Sequence, residues 1–310
     1  MENSFEGLQE VKRFSDISYQ YDALICDIWG VIHNGQELFP GINECLLNYK
    51  EQNNHVILLS NAPRPSSYVK TVLDKFGFKS DCYDDIITSG DLTRKSLTEK
   101  IFGDNCYHIG PDRDLNIFEG TSVKRVDFND SDFIFVTGLF DDENEVENDY
   151  LDLLNSAKER NMTLVCANPD LLVQRGKKLI PCAGLISKTY EEIGGKVVNI
   201  GKPYSPIFRE AIEKIKKISL SDKQNILVVG DGLETDIKGA NLIGLDSILV
   251  LGGLFSNNSK DKILESIENK GIYPNFFIDE LIGVKFNLFS NKWFLSKDTS
   301  VNYISTFLKN

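Results

Sequence analysis

Positive charge is scarce in this 310-residue chain: 34 Lys and Arg stand against 46 Asp and Glu, a net charge of −12. A nucleic-acid binder needs a cationic footprint that displaces counterions from phosphates, and neither the overall balance nor any dense Lys/Arg run supplies one. Long apolar runs are missing too. No window approaches the roughly 18 uncharged residues that span a bilayer, and the first twenty residues contain no secretory apolar core, so no membrane association is expected. Six cysteines lie at wide, irregular intervals without CxxC pairs, which argues against zinc or redox sites and for reduced thiols in a cytoplasmic protein. The three histidines, His33, His55 and His108, lack metal-ligand spacing. No GxGxxG, Walker loop or GxSxG elbow occurs, so dinucleotide, P-loop and serine-hydrolase readings have no footing.

With 41 % hydrophobic and 26 % charged residues, the chain has the material for a sizeable core. At about 150 residues per domain, its length suggests two domains. Short Val/Ile/Leu runs recur with helical stretches between them: Ala23-Leu24-Ile25-Cys26, Val56-Ile57-Leu58-Leu59, Phe133-Ile134-Phe135-Val136, Leu164-Val165-Cys166, Ile226-Leu227-Val228-Val229 and Ile248-Leu249-Val250-Leu251. Continuous apolar runs belong to strands covered on both faces, which predicts an α/β fold with parallel sheets. Ligands bind such sheets at the carboxyl ends of the strands. Three runs deliver polar groups there: the first ends at Asp27, the second at Ser60-Asn61 and the fifth at Gly230-Asp231. The runs at 133–136 and 164–166 end differently, and the segment 91–197 reads as a second α/β module inserted between 1–90 and 198–283. Residues 284–310 read as a C-terminal extension.

Each polar residue has a plain structural reading. Asp27 alone would be a turn or capping residue, Ser60-Asn61 a helix cap before Pro63, Lys202 a solvated lysine, and Asp231 to Asp236 a polar helix start. Together they suit phosphoryl chemistry. Carboxylates converging at strand ends make a hard oxygen site for Mg²⁺, and one of them can attack phosphorus. A hydroxyl and backbone amides at Ser60-Asn61 would hold phosphoryl oxygens, with Lys202 offsetting their charge. The acidic stretch Asp141-Asp142-Glu143-Asn144-Glu145 reads as a solvated helix start.

Over roughly 20–283 the sequence resembles the haloacid dehalogenase (HAD) superfamily of aspartate-nucleophile phosphatases, class IIA, which carries a large α/β cap. Asp27-Ile28-Trp29-Gly30-Val31 is similar to the first motif, Leu58-Leu59-Ser60-Asn61 to the second, Gly201-Lys202-Pro203 to the third, and Gly230-Asp231-Gly232-Leu233-Glu234-Thr235-Asp236-Ile237 to the fourth. Ala167-Asn168-Pro169-Asp170 is similar to a cap segment. The resemblance implies a Rossmann-like parallel-sheet core with an inserted α/β cap. It implies Asp27 as the nucleophile that becomes an aspartyl-phosphate, with Ser60, Asn61 and Lys202 on the phosphoryl group. Mg²⁺ would sit on Asp27, the backbone carbonyl of Trp29 and Asp231, with Asp236 supporting it. The implied substrate is a small phosphorylated metabolite such as a sugar phosphate, and a homodimer through the cap is implied as well.

One position departs from the family pattern. The usual first motif places a second Asp two residues after the nucleophile, as general acid and base; here that residue is Trp29. An indole does not exchange protons at neutral pH, so His33 and Glu234 become candidate substitutes. The departure keeps alternatives open: an impaired relative that binds a phosphorylated ligand or protein partner without turnover, a phosphotransferase, or a receiver-like phospho-acceptor, which would need no inserted module.

Overall fold

The apolar runs become the inner strands of two parallel sheets. The computed structural model describes residues 8–176, 178–219 and 224–282, so the predicted extension at 284–310 lies outside the described residues. In chain order the strands are β1 (Gln9–Glu10), β2 (Ala23–Cys26), β3 (His55–Ser60), β4 (Asp85–Thr88), β5 (Asn105–Ile109), β6 (Lys124–Arg125), β7 (Phe133–Val136), β8 (Thr163–Cys166), β9 (Leu172–Arg175), β10 (Lys178–Pro181), β11 (Lys196–Asn199), β12 (Ile226–Gly230), β13 (Asp246–Val250) and β14 (Phe276–Ile278). The α-helices are α1 (Ile42–Lys50), α2 (Ser66–Phe76), α3 (Ser89–Thr98), α4 (Leu151–Glu159), α5 (Ala183–Glu192), α6 (Ser205–Ile218), α7 (Lys238–Ile243) and α8 (Lys260–Lys270).

Seven strands in the order β1-β14-β13-β12-β2-β3-β4 form the core sheet, and every neighbouring pair in it is parallel. Its two faces are covered by different helices, as the continuous apolar runs require. Leu24, Cys26, Val56, Leu58, Leu227 and Val229 pack with Ile42, Cys45, Leu46 and Tyr49 of α1. The alternate residues Ala23, Ile25, Ile57, Leu59, Ile226 and Val228 pack with Ile207, Phe208, Ala211 and Ile215 of α6. Each large apolar side chain fully buried this way contributes about 1.5–3 kcal/mol. Pro206 lies at the start of α6, where its missing N–H costs no helical bond.

The second sheet, β11-β8-β7-β5-β6, is also parallel and lies wholly between β4 and α6 in sequence. Ile134, Val136, Leu164 and Cys166 face α4 and α5, while Phe133, Phe135 and Val165 face Leu97 of α3. An antiparallel hairpin of β9 and β10 projects between β8 and α5. The chain passes between the sheets through α3 and again through 200–204, so a boundary drawn at residue 90 falls inside a continuous helix.

Strand order reverses at the β2–β12 pair: β3 and β4 are added on one side, β13 and β14 on the other. At such a reversal the flanking loops diverge and leave a crevice for ligands. The register sets Cys26 opposite Val229, and the Asp27 amide donates to the Val229 carbonyl at 2.8 Å. Asp27 and Gly230-Asp231 therefore leave the sheet side by side.

Candidate active site

Three strand ends and one loop supply the site. Asp27 follows β2, Ser60 ends β3, Asp231 follows β12, and Lys202 enters from the loop before α6. All four are buried, as is Asp236 on the first turn after the Gly232 loop. Lys202 Nζ stands 2.6 Å from Asp27 Oδ1 and 2.8 Å from Asp236 Oδ1, and donates to the Leu59 carbonyl at 3.2 Å. A lysine 1 % exposed is tolerated only when such partners replace its hydration. Asp236 Oδ2 also accepts the Gly232 amide at 3.1 Å, and Asp231 Oδ2 accepts the Leu254 amide at 2.8 Å.

Oxygens of Asp27, Asp231 and Asp236 lie within 4.8 Å of one another. Burial and the Asp236 charge push Asp231 up to about 8. Burial and Asp236 likewise raise Asp27 well above the carboxylate range, against the pull of Lys202. Burial disfavours charge on Lys202, but Asp236 and Asp27 outweigh it and hold the ammonium charged. Three carboxylates with one lysine remain short of positive charge, and an all-oxygen set of this kind fits a hard divalent cation such as Mg²⁺. The loop after Asp27 can approach Asp231 only because residue 30 is glycine: a Cβ there would lie 1.9 Å from Asp231 Oδ2, and its φ of +85° is one that other residues avoid.

Ser60 Oγ accepts the Ala62 amide at 3.1 Å, which leaves its hydroxyl proton free to donate. Asn61 is different. Its Oδ1 accepts the Lys202 amide at 2.7 Å, and its Nδ2 donates to Asp170 Oδ1 at 2.8 Å and to the Lys202 carbonyl at 3.1 Å. The Asn61 side chain is thus consumed in bracing the Lys202 loop against the cap segment, so only its main chain is left for the phosphoryl contact expected of the backbone at Ser60-Asn61. Asp170 was visible in the sequence as part of a cap motif; that it reaches Asn61 was not.

The two substitute acids also prove unsuitable. Glu234 turns to the surface and pairs with Lys270 at 2.6 Å. His33 is buried; its Nδ1 accepts the Gly35 amide at 2.9 Å, its ring packs against Trp29 and Phe76, and burial lowers it to about 4. It is neutral at pH 7 and has no imidazolium proton to give. Because its folded value lies below the unfolded 6.5, His33 stabilises the fold above that pH and the stabilisation is lost as pH falls toward 4. The loss amounts to about 2 kcal/mol by pH 5. Urea unfolding of His33→Asn, which keeps an acceptor for Gly35, should show that much less loss between pH 7 and 5; identical slopes would mean that His33 is not held neutral.

Asp142, read as solvated, is buried: it accepts from Arg175 of β9 at 2.8 Å and from Arg113. Arg64, four residues after Ser60, crosses from the core to Asp114 at 3.1 Å.

An α/β enzyme core with a capped carboxylate–lysine site is the class this geometry defines. The profile of haloacid dehalogenase-like hydrolases matches residues 24–124, and a HAD-hydrolase-like profile matches 199–281. The crystal structure of a haloacid dehalogenase-like hydrolase from Brucella suis is similar with a TM-score of 0.79 and 34 % identity, covering 88 % of this chain and all of the other. Ribonucleotide monophosphatase NagD of Escherichia coli is 25 % identical over 81 % of this chain and 95 % of its own. The acid sugar phosphatase of Staphylococcus saprophyticus is 23 % identical over 84 % and 95 %. The chain belongs to the haloacid dehalogenase-like hydrolases, in the class IIA branch that its motifs suggested.

Proposed function

We propose that the chain is a Mg²⁺-dependent phosphomonoester hydrolase that passes the phosphoryl group of a small phosphorylated metabolite, a sugar phosphate or similar, to Asp27 and then to water. The observation that carries the reading is the buried Lys202 ammonium held between Asp27 and Asp236, with Asp231 beside them. Relatives named as a sugar phosphatase and a ribonucleotide monophosphatase support the substrate class.

Lys202 holds Oδ1 of Asp27, and the second carboxylate oxygen is the nucleophile. A lone pair from it forms the bond to phosphorus as the ester P–O bond breaks, and the leaving oxygen takes the electron pair of the broken bond. Ser60 Oγ–H and Lys202 Nζ stabilise charge on the phosphoryl oxygens, and Asn61 keeps the Lys202 loop in place. Water then attacks the phosphorus of the aspartyl-phosphate, releasing phosphate and restoring Asp27. Asp27, Asp231 and the Trp29 carbonyl would hold Mg²⁺, with Asp236 alongside, and the ion would supply charge neutralisation at phosphate. The proposal includes a cytoplasmic setting and a homodimer through the cap, whose exposed Phe140 and Val146 support such a contact.

No side-chain acid stands two residues after Asp27, so the departing oxygen must draw its proton from water. General acid help is worth about 10²–10⁴ in rate. Phosphate release in Mg²⁺ should therefore favour 4-nitrophenyl phosphate over alkyl sugar phosphates by roughly 10² or more, and Trp29→Asp should narrow that gap. Chelation with EDTA should stop both. The absence of release from every ester would favour the second reading, to which Trp29 itself points: a relative that binds a phosphorylated ligand without turning it over.

A further inference from the structure

Trp29 is not idle packing. Its Nε1–H donates to the backbone carbonyl of Gln174, in β9 of the cap hairpin, 145 residues away. The indole is clamped in place: the His33 ring meets it edge-on at 5.1 Å between centroids, and Gly35 lies so close against it that a Cβ there would sit 2.4 Å from the ring. Residue 35 has a φ of +83°, so glycine is required both for the turn and for the ring's space.

The hairpin has two further ties to the core. The Gly176 amide donates to the Asn34 carbonyl at 3.0 Å, and Ser256 Oγ donates to Gln174 Oε1 at 3.4 Å. Its other attachment is to the cap body, where Arg175 grips buried Asp142. The hairpin thus bridges the cap and the nucleophile's own loop, and the bond from residue 29 lies two residues from Asp27.

We propose that Trp29 is a positioning residue: at the place where the family carries a proton-transferring acid, this chain carries a seat that fastens the cap hairpin over the motif-one loop. An aspartate side chain there has no N–H to offer the Gln174 carbonyl. The seat couples cap closure to the loop that presents Asp27 and, through the Trp29 carbonyl, to the proposed metal position. In calling this an active-site closure the inference rests on the proposed phosphatase reading, but the seat itself can be tested without turnover.

Hydrogen exchange of the resting protein, followed by mass spectrometry, provides that test. Trp29→Phe keeps a ring and removes the donor. Peptides covering 172–181 should exchange roughly three- to tenfold faster, the change expected for one lost hydrogen bond, while 226–230 keeps its protection. Gly35→Ala, which pushes the ring aside without changing its chemistry, should act in the same direction. With 4-nitrophenyl phosphate, Trp29→Phe should raise KM by more than it lowers kcat, because binding energy spent on closure is lost. Unchanged hairpin exchange in both variants would overturn the proposal, as would equal loosening at 226–230, which marks a packing residue. A protein that turns over nothing while its hairpin loosens would refute the phosphatase reading and leave the seat standing.

Discussion

Asp27→Asn should lose turnover by about 10⁴-fold or more, the scale on which removal of a nucleophile acts, and yet fold at least as well as the wild type. Asparagine has the same shape and no nucleophilic oxygen. The stability half of the expectation comes from charge. Asp27 shares a buried site with Asp231 and Asp236, and burial together with Asp236 already raises its proton affinity. Removing one of three like charges relieves that repulsion, while Lys202 keeps Asp236 at 2.8 Å and the Leu59 carbonyl at 3.2 Å. In metal-free buffer at pH 8 the melting midpoint should rise by about 2–4 °C, the shift that roughly 1 kcal/mol produces in a domain of this size. Phosphate release and thermal melting on the same preparation check both halves. Activity surviving in Asp27→Asn would place the nucleophile elsewhere, whereas a much lower melting point would mean that Asp27 and Lys202 act mainly as a structural pair.

The part of this site that was legible in the sequence is the part fixed by sheet geometry. A strand buried on both faces must be apolar throughout, so β2, β7 and β12 stand out as runs, and the first polar residue after each has to emerge at the sheet edge. Asp27 and Asp231 could be found in this way. Short or mixed strands could not: β5 reads Asn105–Ile109 with a polar residue, a tyrosine and a histidine among its five, and β1 pairs over only two residues. Their place is set by neighbours rather than by their own pattern.

Side-chain partners were illegible for a different reason. The sequence places Asn61 beside Ser60 at a strand end, where its backbone was expected to meet phosphate, and nothing local reveals that the backbone of a lysine 141 residues away will engage its side chain. Asp142 sits in a run of acids that reads as a wet surface; it turns inward because Arg113 and Arg175, from two distant segments, converge on it. Trp29 announced only what was missing. Its acceptor is a main-chain carbonyl, which any residue at position 174 would offer, so no sequence signal could name it.

Lys202→Met should do more general damage, to activity and fold together. Methionine fills the volume but leaves the carboxylates of Asp27 and Asp236, both within 3 Å of the lost ammonium, without a counter-charge. Breaking one side of a buried ion pair costs about 3–5 kcal/mol. The cost should depend on pH. Asp231 binds its proton up to about 8 in the folded state, and Asp27 is also raised, against an unfolded value near 3.8. Carboxyls with raised folded values add stability at low pH and lose it as pH climbs through those values. Removing Lys202 raises them further, so the gap between Lys202→Met and the wild type should be smallest at low pH, where both folds keep these protons, and widen as pH climbs through about 8 and beyond, by about 1.4 kcal/mol per pH unit for each proton that the variant alone must retain. A divalent cation at the same carboxylates replaces the lost charge. Millimolar Mg²⁺ should therefore recover much of the melting temperature of the variant at pH 8 without restoring phosphate release, because the ammonium at the phosphoryl oxygens is still absent. Stability insensitive to pH and to Mg²⁺ in Lys202→Met would mean that these acids do not form a cation site; recovered turnover would mean that Lys202 serves the fold and not the reaction.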